Sequence, residues 1–222
     1  MKRKSVVVSM ILALSLVFGA FQITFAAAPP NQKTIDAIAN SKIKSQPSIT
    51  DEVSAETFAM NLYREAKDGG YGLVDTAGVA KVIGRKDVII IDTMPETWWA
   101  GRRIPGAINQ VVGAMNGPEF KILASEKKAL LKKVNKACGK KTYYYNSKTK
   151  KWQTKKIKGA KTKKMVNKDK KIIVYCGFVK CKRSHEGAKF LVKKGFTNVY
   201  RYPGGISAWV DANKNIDGSD VL

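Results

Sequence analysis

Lys171-Ile-Ile-Val-Tyr-Cys-Gly-Phe-Val-Lys-Cys-Lys-Arg-Ser-His185 decides how this chain is read. Ile172 to Tyr175 is a short apolar and aromatic run, the pattern of a strand buried on both faces, as strands of parallel sheets are. Cys176 ends that strand, and a basic loop containing Gly177 follows. Ser184 then opens a helix with Ala188, Leu191 and Val192 at helical spacing, and Gly195 stops it. A cysteine between strand and helix faces the helix N-terminus, where backbone N–H groups and the helix dipole favour negative charge. A thiol placed there tends to be a thiolate, and a thiolate is a nucleophile. The alternative is an ordinary buried thiol.

Working outward, Asp87-Val-Ile-Ile-Ile-Asp92 is a second strand of the same type. Strands alternating with helical segments predict an α/β fold, a parallel sheet flanked by helices. Ligands in such sheets sit at the C-terminal ends of the strands, so Asp92 and Cys176 should meet at one rim. Tyr71 to Val74 reads as a short strand, with Asp75 or Thr76 capping a helix through Ile83 that Gly84 closes. Residues 51–68 carry Phe58, Leu62 and Ala66 at four-residue spacing before Gly69-Gly70, an amphipathic N-terminal helix packed on the outside of the domain. Trp98-Trp99 is either packing or one wall of a site's mouth.

Residues 121–171 differ in composition: twenty lysines stand against Glu126 and Asp169. Lys141 to Tyr145 and Lys151 to Lys155 flank the turn-rich Asn146 to Lys150, which predicts a lysine-rich β-hairpin insert. The whole chain has 41 basic and 17 acidic residues, a formal charge of +24, and so attracts anions. Its 44% hydrophobic content allows a proper core. Lysine with interleaved aromatics is also a nucleic-acid footprint, but the N-terminus argues against that partner. Lys2, Arg3 and Lys4 precede the apolar run Val6 to Ala20 and the small residues Ala26-Ala-Ala28, the pattern of a secretory signal peptide. The expected organisation is a signal peptide at 1–28, a linker and N-terminal helix at 29–70, and one domain at 71–222 with its insert at about 121–171. The expected location is periplasmic or secreted, with no stable membrane insertion after cleavage.

Three cysteines, Cys138, Cys176 and Cys181, in an oxidising compartment allow one disulfide and one free thiol, with the pairing open. His185 is the only histidine and has no companions at metal spacing, so no metal site is expected. No organic cofactor is implied either.

Asp92, Gly101-Arg-Arg-Ile-Pro-Gly-Ala107, Tyr175-Cys176, Arg183-Ser184, Gly195 to Tyr200, Pro203-Gly-Gly205 and Ala208-Trp209 together resemble a rhodanese domain. The resemblance runs roughly from Tyr71 to Ala212, apart from the insert. It implies a parallel sheet of about five strands and a sulfurtransferase. Such an enzyme moves sulfane sulfur from a small anionic donor, such as thiosulfate or polysulfide, to a thiol, protein or cyanide-like acceptor. By that resemblance Cys176 bears the persulfide and Arg183 closes the loop. Gly177, Phe178, Val179, Lys180, Cys181 and Lys182 would bind the substrate, with Asp92 and Arg103 at the rim. Met94 stands where the family often has arginine, and Arg103 where it often has histidine. Six residues separate Cys176 from Arg183, against four in the common sulfurtransferase pattern and five in related phosphatases, so the loop suits a larger anion. Cys181 inside the loop is either incidental or a resolving thiol that pairs reversibly with Cys176. Cys138 is expected to pack in or near the insert, outside the chemistry. The rival readings are a sulfur carrier without turnover, a thiol–disulfide or oxyanion redox enzyme using Cys176 and Cys181, and a phosphatase.

Overall fold

The computed structural model describes residues 52–113, 120 and 122–219. The signal peptide and the 29–50 linker lie outside these residues. Five strands form one sheet in the order β1 (Gly72–Leu73), β8 (Val199–Tyr202), β7 (Lys171–Tyr175), β2 (Val88–Asp92) and β3 (Ile108–Asn109). Every neighbouring pair is parallel. Successive side chains of a strand point to opposite faces, and the central strands use that alternation to build two cores. Ile89, Ile91, Ile172 and Val174 join one core with Leu130, Val134 and Leu191. Ile90, Ile173 and Tyr175 join the other with Val79, Ile206 and Trp209. The chain is therefore α/β, and the apolar runs of β2 and β7 are apolar because both faces are covered.

Helix α1 (Glu52–Gly69) ends where Gly70 takes φ +67°, a left-handed stop that glycine adopts without strain. Ala66 packs on the first core, while Met60 and Tyr63 stay exposed. Helix α2 (Thr76–Ala80) is capped by Asp75, whose carboxylate accepts from the Gly78 amide at 2.7 Å, and it stops three residues short of Ile83. Helix α3 (Glu96–Gly101) follows β2. Helix α5 (Lys182–Lys193) begins two residues before Ser184, with Cys181 at its N-cap. Helix α6 (Gly205–Asp211) closes the domain.

The lysine-rich stretch divides in two. Residues 124–138 form helix α4 (Ala124–Cys138), which places Leu130, Val134 and Cys138 in the first core. Beyond it, β4 (Lys140–Asn146) pairs antiparallel with β5 (Lys151–Gln153), with Tyr145 opposite Trp152 and their rings 5.3 Å apart. The turn is held by Asn146 Oδ1, which accepts from the Lys148 and Thr149 amides. A third strand, β6 (Thr162–Val166), lies on the other side of β4. Its Thr-Lys-Lys-Met-Val sequence shows no apolar alternation because most of it faces water, which is why periodicity does not reveal it.

Candidate active site

β2 and β7 are in register, with Asp92 opposite Tyr175, so the chain leaves both strands at the same rim. Thr93 fastens them there: its amide and hydroxyl both donate to the Tyr175 carbonyl, at 3.0 and 2.8 Å. Asp92 is fully buried, and its Oδ1 accepts from the Met94 amide at 2.8 Å while Asn109 Nδ2 donates to the Met94 carbonyl at 2.9 Å. Two strand ends thus hold Met94 in place. Burial pushes the Asp92 carboxyl up to about 6, against the opposing pull of the Met94 amide. Among the described residues its Oδ2 has no hydrogen-bond partner.

A raised folded pKa means that the stabilisation from protonated Asp92 is present in full below about pH 4. It is lost as pH rises through about 6. Asp92→Asn removes the ionisation and keeps an acceptor for Met94. The stability of this variant relative to the parent is expected to improve by about 2 kcal/mol between pH 4 and pH 7.5, following 1.36 kcal/mol per pKa unit. Urea unfolding at the two pH values checks it, and a pH-independent difference would place the titration elsewhere.

The loop from Cys176 to Cys181 is held from three sides. Below, the first amides of α6 donate into it: Ile206 N to the Cys176 carbonyl at 3.0 Å and Ser207 N to the Gly177 carbonyl at 2.9 Å. At its far end, Arg201 of β8 reaches up as a fork. Its Nε donates to Ser184 Oγ at 3.1 Å, and its Nη2 donates to the Val179 and Cys181 carbonyls at 3.0 and 3.1 Å. Nη1 pairs with Glu65 of α1. Arg201 is only 1% exposed. On the outer side, Lys180 Nζ lies 4.8 Å from the ring centroid of Phe58, also on α1. Beneath α5, Tyr71 Oη and His185 Nδ1 share a hydrogen bond of 2.7 Å, and burial lowers the His185 pKa. The histidine is therefore a packed structural group.

The two loop cysteines occupy different settings. Cys176 is 0% exposed; its Sγ lies 3.2 Å from Ser184 Oγ and contacts the carbonyls of Phe178 and Cys181 at 3.8 and 3.5 Å. Burial pushes its thiol up, and the neighbouring Cys181 sulfur adds to that, while Ser184 opposes it. Cys181 is half-buried. The Cys176 thiol beside it, then the amides of Arg183 and Gly177 and the Arg183 charge, bring its thiol down to about 6 against the cost of burial. All three cysteines are free, and Cys138 packs in the first core at the end of α4.

The loop opens into a cleft of about 500 Å³. Gly177, Phe178, Lys180, Cys181, Lys182 and Arg183 form one side of it, and Met94, Pro95, Trp98 and Phe120 the other. Trp98 is 55% exposed and Phe178 53%. Among the described residues, three cations and no carboxylate line the cleft, so it favours an anion, and its aromatic and methionine walls favour one with a polarisable body. Arg183 also donates from Nη1 to the carbonyls of Val112 and Gly113 and lies 5.9 Å from the Phe120 ring centroid.

The structure thus brings Cys176, Arg183 and most of the loop residues expected from sequence to one place. Val179 is exposed outside the cleft lining, and Asp92 lies beneath the rim, acting through Met94. Arg103 is elsewhere: its guanidinium stacks 4.3 Å from the Trp99 ring centroid, and its backbone pairs with Asp217. Trp98 and Trp99 divide the two roles open to them, the first lining the cleft and the second holding Arg103. Sequence reading missed Arg201 and Glu65. The available signal was an arginine inside the otherwise apolar Val199 to Tyr202 strand, whose buried charge demands a partner.

A family model for the rhodanese-like domain matches residues 75–212. The chain belongs to the rhodanese-like family. Helix α1, which supplies Glu65 and Phe58 to the loop, lies ahead of the matched residues. No curated protein sequence is significantly similar to the chain. Among solved structures it is similar to the BH2092 protein from Bacillus halodurans, at 21% identity over 73% of this chain and 88% of that one, with a TM-score of 0.41. It is similar to a thiosulfate sulfurtransferase from Pseudomonas aeruginosa at 14% identity, over 69% of this chain and 22% of that one, TM-score 0.43. It is also similar to the human single-domain sulfurtransferase TSTD1, at 16% identity over 64% and 97%, TM-score 0.38.

Proposed function

We propose that this protein is a sulfurtransferase that carries sulfane sulfur as a persulfide on its two-cysteine loop. It takes the sulfur from a small anionic donor such as thiosulfate or polysulfide and passes it to a thiol, protein or cyanide-like acceptor. The observation that carries the reading is a cysteine loop opening into a cleft rimmed by Lys180, Lys182 and Arg183, with no acid among the described residues of its lining. A cysteine thiolate attacks the outer sulfur of thiosulfate, the S–S bond breaks, and its electron pair leaves with sulfite. The new persulfide is anionic, and the cationic rim with the first amides of α5 stabilises it. Membership of the family is compatible with a carrier that does not turn over, so the test is turnover itself. The expected result is continuous sulfite release from thiosulfate with a thiol or cyanide acceptor, absent from the Cys176→Ser/Cys181→Ser double variant. Sulfite release by the double variant at the parent rate would refute the assignment.

The leader pattern at 1–28 places this activity outside the cytoplasm in our reading. The lysine-rich sheet then serves to draw anionic donors towards the protein, without taking part in the chemistry. Attraction of this kind is screened over a Debye length of about 8 Å at physiological ionic strength. Changing the exposed Lys148, Lys150 and Lys151 of the hairpin turn to glutamine is expected to lower kcat/KM several-fold at low salt and leave it unchanged at physiological salt. A fall in kcat at every salt concentration would mean that the sheet reaches the reacting groups.

A further inference from the structure

Cys181 faces the cleft and Cys176 does not. Cys176 is fully buried, behind the loop, with its sulfur enclosed by Ser184 Oγ and the carbonyls of Phe178 and Cys181. A donor entering the cleft meets the Cys181 sulfur at the N-cap of the twelve-residue helix α5, beside the Arg183 guanidinium. Carbonyl oxygens around a sulfur suit a thiol that donates a proton, whereas helix amides and a cation suit a thiolate. We propose that Cys181, rather than Cys176, takes the sulfane sulfur from the donor, and that Cys176 then releases it as hydrosulfide. This rests on the sulfur-transfer reading above: Cys181 is the atom that takes the sulfur, an external acceptor removes it from Cys181 where one is present, and the release by Cys176 is the exit taken where none is.

In the first step the Cys181 thiolate attacks the outer sulfur of thiosulfate. The donor's S–S bond breaks with its electron pair on sulfite, and Cys181 becomes a persulfide anion. In the second step the Cys176 sulfur attacks Cys181 Sγ. The persulfide S–S bond breaks, and the terminal sulfur leaves with the electron pair and the Cys176 proton as hydrosulfide. A Cys176–Cys181 disulfide remains: two cysteine sulfurs are oxidised and one sulfane sulfur is reduced. A dithiol reductant is then required to restore the loop, by ordinary thiol–disulfide exchange. Ser184 is a positioning residue in this scheme. Its hydroxyl accepts from Arg201 Nε, which leaves its own hydrogen free to stabilise charge growing on Cys176 as the proton departs. The direction of charge agrees, since the surroundings lower the Cys181 thiol and raise that of Cys176.

The test uses the reduced full chain and its two single variants. With thiosulfate and no acceptor, the parent should release one sulfite and one hydrosulfide per chain, and peptide mapping should find the Cys176–Cys181 disulfide. Cys176→Ser should still release sulfite once, hold a persulfide on Cys181 and produce no hydrosulfide. Cys181→Ser should lose the sulfite burst, with circular dichroism confirming its fold. A Cys181→Ser variant that keeps the burst and carries the persulfide on Cys176 overturns the proposal. Limited alkylation of the parent with iodoacetamide at pH 7 gives an answer independent of transfer. Label on Cys181 supports the assignment, and label on Cys176 overturns it. A parent that releases no sulfite yet labels at Cys181 refutes the sulfur-transfer reading and leaves Cys181 as the exposed nucleophile.

Discussion

Replacing Arg201 with alanine is expected to destabilise the protein by roughly 2–4 kcal/mol and to abolish sulfur transfer in the molecules that remain folded. Removing one partner of a buried ion pair costs about 3–5 kcal/mol, because the other charge is left desolvated and alone. Glu65 retains 29% of its side-chain exposure, so water offsets part of that penalty. The rest comes from the Val179 and Cys181 carbonyls and Ser184 Oγ, which all lose the same donor. These groups set the far end of the cysteine loop and the hydroxyl beside Cys176. Arg201→Lys separates the two effects. It keeps a charge for Glu65, but a single ammonium cannot reproduce a planar fork over four acceptors. Most of the stability should therefore return and most of the activity should not. Urea unfolding and sulfite release on the same samples measure both. A loss of stability below 1 kcal/mol, or an active Arg201→Lys, would show that the loop does not depend on this fork.

Gly205→Ala is the second large effect expected. Gly205 has φ +62°, a region where a side chain is strained, and a Cβ there would overlap the Cys176 carbonyl oxygen and come within 2.7 Å of the Gly177 carbonyl. These are backbone atoms, so no side chain can turn away to make room. They are also the carbonyls that the Ile206 and Ser207 amides hold. Either α6 backs off and those two bonds lengthen, or the loop shifts and moves both sulfurs relative to the cleft. The expected cost is about 2–3 kcal/mol, in the range of strained-backbone substitutions, together with a loss of kcat of at least tenfold. Gly159→Ala is the control. It shares the positive φ, at +73°, but a Cβ there would meet nothing within 4 Å, so a variant equally inactive at 159 would mean that the clash with the loop carbonyls is not what matters.

The parallel sheet was legible because β2 and β7 are buried on both faces and read as unbroken apolar runs. The strand–loop–helix position of Cys176 followed from the same pattern, and so did the meeting of Asp92 with it at one rim. The first hairpin was legible from its turn and its alternating aromatics. What stayed hidden depends on partners distant in sequence. Arg201 becomes a loop anchor only because Glu65, 136 positions away, lies across from it. The role of Gly205 is visible only once the Cys176 carbonyl lies against it. The burial of Cys176 behind Cys181 comes from how six loop residues fold over one another, which no periodicity encodes. Arg103 was misleading because chain position alone cannot show that its guanidinium turns back onto Trp99. Helix α4 was obscured by lysines on its solvent face, although Leu130, Val134 and Cys138 recur at four-residue spacing and enter the core.

The central claim is that a thiolate in this loop takes sulfane sulfur from an anionic donor. Its most direct measurement is sulfite released in a single turnover, when the fully reduced chain meets thiosulfate without any acceptor. The account predicts one sulfite per chain from the parent and none from Cys176→Ser/Cys181→Ser. A folded, reduced parent that releases no sulfite, and whose loop peptide carries neither added sulfur nor a disulfide, would contradict it.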